Sequence, residues 1–311
     1  MNYSDKTEAF FNGQLSDWDL ANTNYRQLEN VRTRSVAFDG FEVLVQFNPA
    51  RITSTAAKVD SRSIETRPCF LCGNNRPAQQ QGLVFKPGMT VLVNPFPIFR
   101  KHLTIVSDDH VNQRISGNFR TMLDLAAELT EYQIFYNGPQ CGASAPDHFH
   151  FQAGNKGFLP VENDFEGKLL CKLLASKPGT EVWSWPGYSR TLFSLKGNDR
   201  DNLINAFDAF YNKFAEMQND KPEPMLNILA SYSSGYWTIH IFPRKVHRPA
   251  QFFAEGDSKI LLSPASVDLG GVVITPREED YRKIKREDLD DIFRQVSLDN
   301  SDLLPLIEEI L

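Results

Sequence analysis

His148-Phe149-His150-Phe151-Gln152 is the stretch on which the reading of this chain turns. In a β-strand alternate side chains share a face. His148, His150 and Gln152 therefore project together, while Phe149 and Phe151 anchor the opposite face in a core. A single histidine on a half-buried strand would call for no functional reading. Three aligned polar groups directly after a loop of small residues do call for one. That loop, Asn137-Gly138-Pro139-Gln140-Cys141-Gly142-Ala143-Ser144-Ala145-Pro146, offers backbone N–H groups that can approach phosphate oxygens closely. Asn137 and Ser144 add side-chain donors. A neutral imidazole is nucleophilic towards phosphorus near pH 7, and the phosphoramidate it forms is labile enough to pass on. The pattern points to phosphate chemistry in two displacements, with Gln152, Ser144 and loop N–H groups steadying the oxygens.

Working outward, the order of predicted elements argues for an α+β fold with mostly antiparallel pairing. Residues 1–30 read as weakly helical. Val36, Phe38, Phe41, Val43, Val45 and Phe47 form a hairpin turning at Asp39-Gly40. Residues 50–80 read as an irregular segment carrying Arg51, Lys58, Arg62, Arg67 and Arg76. Strands are expected at 83–85, 90–93 and 103–106. A helix is expected at about 117–135, where Phe119, Met122, Leu123, Ala126, Leu129 and Tyr132 recur at three-to-four spacing. Further helices fit 165–175 and 200–217, and strands fit 192–195, 225–230, 237–242 and 271–275. The last 30 residues read as helical and acidic. His102-Leu103-Thr104-Ile105-Val106 through His110 faintly echoes Trp237-Thr238-Ile239-His240 through His247, which is what a duplicated domain would leave.

The totals exclude several classes. With 311 residues, 41% apolar and 23% charged, the chain can bury a large core as one domain or two fused halves. A net charge of -6 with no basic arm argues against nucleic-acid binding. No run approaches the length of a membrane span, and Met1-Asn2-Tyr3-Ser4-Asp5-Lys6 contains no apolar signal segment, so the expected location is cytoplasmic. Four cysteines make no disulfide framework here, but Cys69 and Cys72 have C-x-x-C spacing, which suggests metal or redox work. Reduced cysteines in a tight turn would give the same spacing.

The His-x-His-x-Gln run and its small-residue loop resemble the histidine-triad (HIT) superfamily, in its transferase branch. That branch includes galactose-1-phosphate uridylyltransferase, diadenosine tetraphosphate phosphorylase and the GDP-hexose phosphorylases. The resemblance implies duplicated HIT-like halves, 1–165 with the triad and a metal site and 166–311 as the second half. Each is a mostly antiparallel sheet flanked by helices. It further implies that His150 is the nucleophile, Gln152 a phosphate donor, and Asn137, Gly142, Ala143 and Ser144 the phosphate loop. Because most hydrolase members carry His where this chain has Gln152, transfer or phosphorolysis is favoured over hydrolysis.

Cys69-Phe70-Leu71-Cys72 is similar to the zinc-binding pair of the uridylyltransferases. There the remaining ligands match His110, in Ser107-Asp108-Asp109-His110, and His148. The resemblance thus implies a structural zinc on Cys69, Cys72, His110 and His148, with His102 left as an alternative ligand or a nucleotide neighbour. Leu159-Pro160-Val161-Glu162 and Phe47-Asn48-Pro49-Ala50-Arg51 are similar to segments of the GDP-hexose phosphorylases, and Phe242-Pro243-Arg244 to the late segment shared with dinucleotide phosphorylases.

Arg51, Arg244 and His247 are accordingly candidate phosphate contacts, although a basic run such as Arg244-Lys245-Val246-His247-Arg248 is as readily a solvated turn. The expected substrate is a small nucleotide, either a GDP- or UDP-hexose or a dinucleoside polyphosphate, with phosphate or a sugar 1-phosphate as acceptor. Homodimerisation is compatible with the resemblance. Two other readings use the same residues: a nucleotide-binding protein with vestigial chemistry, and a metal-held structural module.

Overall fold

Strand β7 (His150–Asn155), which begins at the proposed nucleophile, lies inside a ten-stranded sheet with the order β3-β4-β5-β7-β6-β11-β12-β10-β9-β8. This computed structural model describes residues 2–52, 61–308 and 310, together with every side chain in them except those of 61, 62 and 65. Lys58 lies outside the described residues, as does the side chain of Arg62. No described helix is long and apolar enough to cross a membrane.

The strand order reads the same from either edge once the halves are matched. β3 (Gly82–Lys86), β4 (Met89–Val93), β5 (His102–Ser107), β7 and β6 (Tyr132–Asn137) make one half. β8 (Lys172–Lys177), β9 (Thr180–Ser184), β10 (Phe193–Gly197), β12 (Tyr236–Pro243) and β11 (Leu226–Ser233) repeat it. The halves join where β6 and β11 pair antiparallel, with Asn137 opposite Asn227. All pairings in this sheet are antiparallel, so the expected α+β class with duplicated halves is borne out. The faint repeat seen in the sequence is not its trace, however. It matched β5 with β12, whereas topology matches β5 with β10 and β7 with β12.

Period-two alternation divides the sheet's two faces. On one face Ile105, Ile134, Phe151, Ile228 and Ile239 pack under the helices α1 (Tyr3–Asp17), α3 (Phe119–Glu128) and α5 (Arg200–Met217). The helix α2 (Asp19–Gln27) follows α1 directly. The second crossover helix α5 starts where Asp199 accepts from the N–H groups of Asp201 and Asn202, an N-cap on two otherwise orphan donors. Its Leu203, Phe207, Phe210 and Phe214 form the buried stripe. Phe207 stacks on Phe119 of α3 with ring centroids 3.9 Å apart, joining the two halves' helices.

The other face is covered by a three-stranded sheet, β1 (Arg32–Ala37), β2 (Glu42–Phe47) and β13 (Val272–Thr275), and by α6 (Arg286–Val296). The hairpin turns at Gly40, φ +89°, as Asp39-Gly40 requires. β13 pairs parallel to β2, so the end of the chain closes over its beginning. α7 (Asn300–Glu308) completes the helical C-terminus.

Two predicted helices are corrected. The one at 117–135 ends at Glu128, and Tyr132–Asn137 is β6, with all six residues buried. A strand buried on both faces shows no alternation, so its aromatics merely prolonged the helical spacing. The helix expected at 165–175 is instead α4 (Pro160–Gly167), begun by a proline in its first turn and closed at Lys168 in the left-handed region. Lys172–Lys177 is the edge strand β8, exposed along most of its length, so its leucines follow no period. The strand at 180–184 went unread.

Replacing Phe207 by Ala should cost about 3–5 kcal/mol, as for a fully buried aromatic. Chemical denaturation measures this directly.

Candidate active site

The cleft opens on the sheet face away from the helical core, and its volume is about 900 Å³. His150 and Gln152 lie on its floor, and Asn137, Gly142, Ala143 and Ser144 form one wall. Arg51 and His247 also line it.

His150 is buried, and its Nδ1–H donates to its own chain at the His148 carbonyl, 2.8 Å away. A carbonyl can only accept, so the proton sits on Nδ1 and Nε2 keeps its lone pair. Burial pushes the ring's pKa down to about 4, leaving it neutral near pH 7.

Gln152 is oriented by a chain of donors. The backbone N–H of Ile98 donates to His102 Nδ1 at 3.2 Å, so His102 carries its proton on Nε2. That N–H meets Gln152 Oε1 at 2.9 Å. The amide oxygen is thereby tied back, and the Nε2 amino group is left for the cleft. Burial holds His102 neutral, with its pKa near 3.

Asn137 is set in the same way. Its Oδ1 accepts from Asn227 Nδ2 at 2.7 Å, from the Ser266 N–H at 2.9 Å and from the Ser266 hydroxyl at 2.7 Å. Its amino group has no protein acceptor among the described residues. Nor do the backbone N–H groups of Gly142, Ala143 and Ser144. These three successive N–H groups and the two amide amino groups belong to residues that line one cleft, and they are donors of the kind an anion takes. Gly142 is required twice over: φ is +95°, and a Cβ would lie 2.6 Å from that of Ala265.

The expected metal ligands also meet. Cys69, Cys72, His110 and His148 bring four ligand atoms within 4.8 Å of one another. Cys69 Sγ lies 3.3 Å and Cys72 Sγ 3.5 Å from His148 Nδ1, and Cys72 Sγ lies 3.1 Å from His110 Nδ1. Two thiols and two imidazoles suit a tetrahedral divalent ion, whose bonds of roughly 2.0–2.3 Å need edges of this size. Both rings turn Nδ1 inward, and their outer nitrogens face oxygens. His148 Nε2 reaches the Ser107 carbonyl at 2.8 Å, and His110 Nε2 lies 3.7 Å from Asp147. Burial would raise the Cys69 thiol, yet the His148 contact and two backbone N–H groups outweigh it and lower its pKa to about 6. The set therefore contains His110, and His102 stands behind Gln152.

Arg244 does not reach the cleft. It is fully buried, and its guanidinium donates to the carbonyls of Val246, His247, Pro264 and Val296 and to Asn227 Oδ1. It braces the loops that carry His247 and Ser263. Burial and Arg248 hold His247 down to a pKa of about 4. In the second half the position matching Gln152 on β12 is His240, opposite Ser194, and that place is filled by Phe165 and Trp185. In the first half the matching place, at Gln152, opens into the cleft. Sequence reasoning missed Gln113, which bonds the His150 backbone and lies in no recognisable motif; His102, left between metal ligand and nucleotide neighbour, instead orients Gln152.

Residues 10–155 match the model of a domain of unknown function, DUF4922, and residues 166–311 match that of the GDPGP1-like C-terminal domain. No curated protein matches the chain. Among solved structures, yeast Ap4A phosphorylase Apa2 shares the fold with a TM-score of 0.57 and 16% identity, over 90% of this chain and 94% of that one. Its complex with Ap4A gives a TM-score of 0.57 at 14% identity, over 90% and 96%. Its complex with AMP gives 0.56 at 15% identity, over 91% and 97%. The chain thus shares its fold with Ap4A phosphorylase, and its second half is similar to the GDPGP1-like C-terminal domain.

A cobalt-loaded sample should show thiolate charge-transfer bands and the intense visible bands of a tetrahedral ion, and Cys72→Ser should lose them. A weak octahedral spectrum in the unaltered chain would contradict the four-ligand set.

Proposed function

We propose that this protein is a nucleotidyltransferase or phosphorylase that carries a nucleoside monophosphate on His150 Nε2. The observation that supports this most is the hydrogen bond from His150 Nδ1–H to the His148 carbonyl. It leaves the Nε2 lone pair available on the cleft face shared with the Gln152 amino group. In the first displacement Nε2 attacks the nucleotide's phosphorus, and the bond to the leaving phosphate or sugar phosphate breaks. The ring becomes cationic, and the His148 carbonyl accepts a stronger bond from Nδ1–H. The amino groups of Gln152 and Asn137 and the loop N–H groups meet the charge on the non-bridging oxygens. In the second displacement an acceptor phosphate oxygen attacks, and the P–Nε2 bond breaks.

The substrate class this fits is a nucleoside diphosphate hexose or a dinucleoside polyphosphate, with inorganic phosphate or a sugar 1-phosphate as acceptor. Yeast Ap4A phosphorylase, which shares the fold, has been solved with Ap4A and with AMP. Arg51 and His247, which line the cleft, would meet the distal phosphate. Zinc on Cys69, Cys72, His110 and His148 would hold the start of β7 in place, a structural role remote from the phosphorus.

Incubation with a panel of these nucleotides, followed by intact-mass analysis, should give one nucleoside monophosphate adduct, mapped to His150. His150→Ala should abolish both adduct and turnover; an active, unlabelled His150→Ala chain would overturn the proposal. Gln152→Ala should lower kcat by about 10²–10³-fold, the usual cost of one lost oxyanion donor. Unchanged steady-state kinetics would remove Gln152 from the machinery.

A further inference from the structure

Gln113 is buried in the segment between β5 and α3, and no feature of the sequence draws attention to it. Its amide makes three hydrogen bonds to the two chain segments that build the cleft. Oε1 accepts the His150 N–H at 2.7 Å. Nε2 donates to the His150 carbonyl at 2.9 Å and to the Asn137 carbonyl at 3.0 Å. Both backbone groups of His150 are thus held by one side chain.

The position of this side chain in the sheet explains what it does. β6 and β7 pair in register as far as Phe135 opposite Gln152. Continued by two residues on each strand, that register would put Asn137 opposite His150 and bond them directly. Gln113 occupies that place and substitutes its amide for the missing ladder bonds. The strands are held apart at the point where β6 turns into the phosphate loop and β7 begins at His150. Three further contacts hold the wedge. The Gln113 N–H donates to the Pro146 carbonyl at 3.1 Å. The Phe149 N–H donates to the Val111 carbonyl at 2.7 Å. Two residues beyond Gln113, the Ile115 N–H donates to buried Glu223 at 2.6 Å.

We propose that Gln113 is a positioning residue for the nucleophile: by wedging β6 from β7 it sets both the direction of the His150 ring and its spacing from the phosphate loop. Its amide is suited to the task because one side chain must supply an acceptor and two donors at once. The inference rests on His150 being the nucleophile for its kinetic consequence, though not for its geometry. A ring displaced by about an ångström loses an in-line approach, which costs on the order of 10²-fold in rate with little effect on binding.

The test uses Gln113→Leu in the full chain, with Gln113→Glu as a second variant. The glutamate keeps the size and the acceptor for the His150 N–H but, ionised, offers no donor to the two carbonyls. Expected is a fall in kcat of roughly 10²-fold with KM unchanged within about threefold, and adduct still forming at His150, only slowly. In isotope-edited NMR of the ligand-free protein the His150 ring should lose its single Nδ1–H tautomer in either variant. A ring as ordered as in the unaltered chain, or a kcat that stays put while KM rises, would overturn the inference. If Gln113→Leu does not fold, Gln113→Glu decides on the same two readouts. If the unaltered chain forms no adduct, the proposed function fails, and the ring spectra alone decide the role of Gln113.

Discussion

One hydrogen bond, from His150 Nδ1–H to the carbonyl of His148, ties the whole site together. It selects the tautomer that leaves Nε2 nucleophilic, and it links that ring to the residue whose own imidazole meets Cys69 and Cys72. The bond forms only if the backbone at 148–150 is held rigidly. That hold comes from three directions: the His148 ring in the Cys-His cluster, the Gln113 amide on the His150 backbone, and the pairing of Val106 with His150 at the start of β7. The same logic of tying back acceptors so that donors face the cleft recurs at Gln152 through His102 and at Asn137 through Ser266. A ligand anion meets groups already oriented, so little reorganisation is needed when charge develops.

Duplication explains why such a site stands in the middle of a large sheet. Each half supplies five strands and a crossover helix, and joining them at β6 and β11 buries what would otherwise be two exposed edges. The matching place in the second half has been given to packing. His240 lies under Phe165 and Trp185, and burial drops its pKa to about 3. The second half contributes His247 to the cleft lining and supports the site from behind: Asn227 and Ser266 orient Asn137, and Arg244 braces the loops at the cleft's rim.

Much of this was legible in the residues. The alternation at 148–152 foretold that His150 and Gln152 face the cleft, whereas His148, which precedes the strand, turns its ring to Cys69 and Cys72 and does not line the cleft. Cys69, Cys72, His110 and His148 came together as their resemblance to a zinc set implied. What stayed hidden has physical reasons. β6 is buried on both faces and β8 on almost neither, so neither carries a period of two. Arg244 sits in a basic run that looks like a surface turn, yet its guanidinium finds five backbone and amide acceptors in the interior. Gln113 and the orienting role of His102 depend on segments meeting across the fold, which local pattern does not encode.

The stereochemical course at phosphorus tests the covalent histidine most directly. With a substrate made chiral by sulfur at the transferred phosphorus, two in-line displacements through a nucleotidyl-His150 predict net retention of configuration. Net inversion would mean a single direct displacement, and would contradict the role assigned to His150.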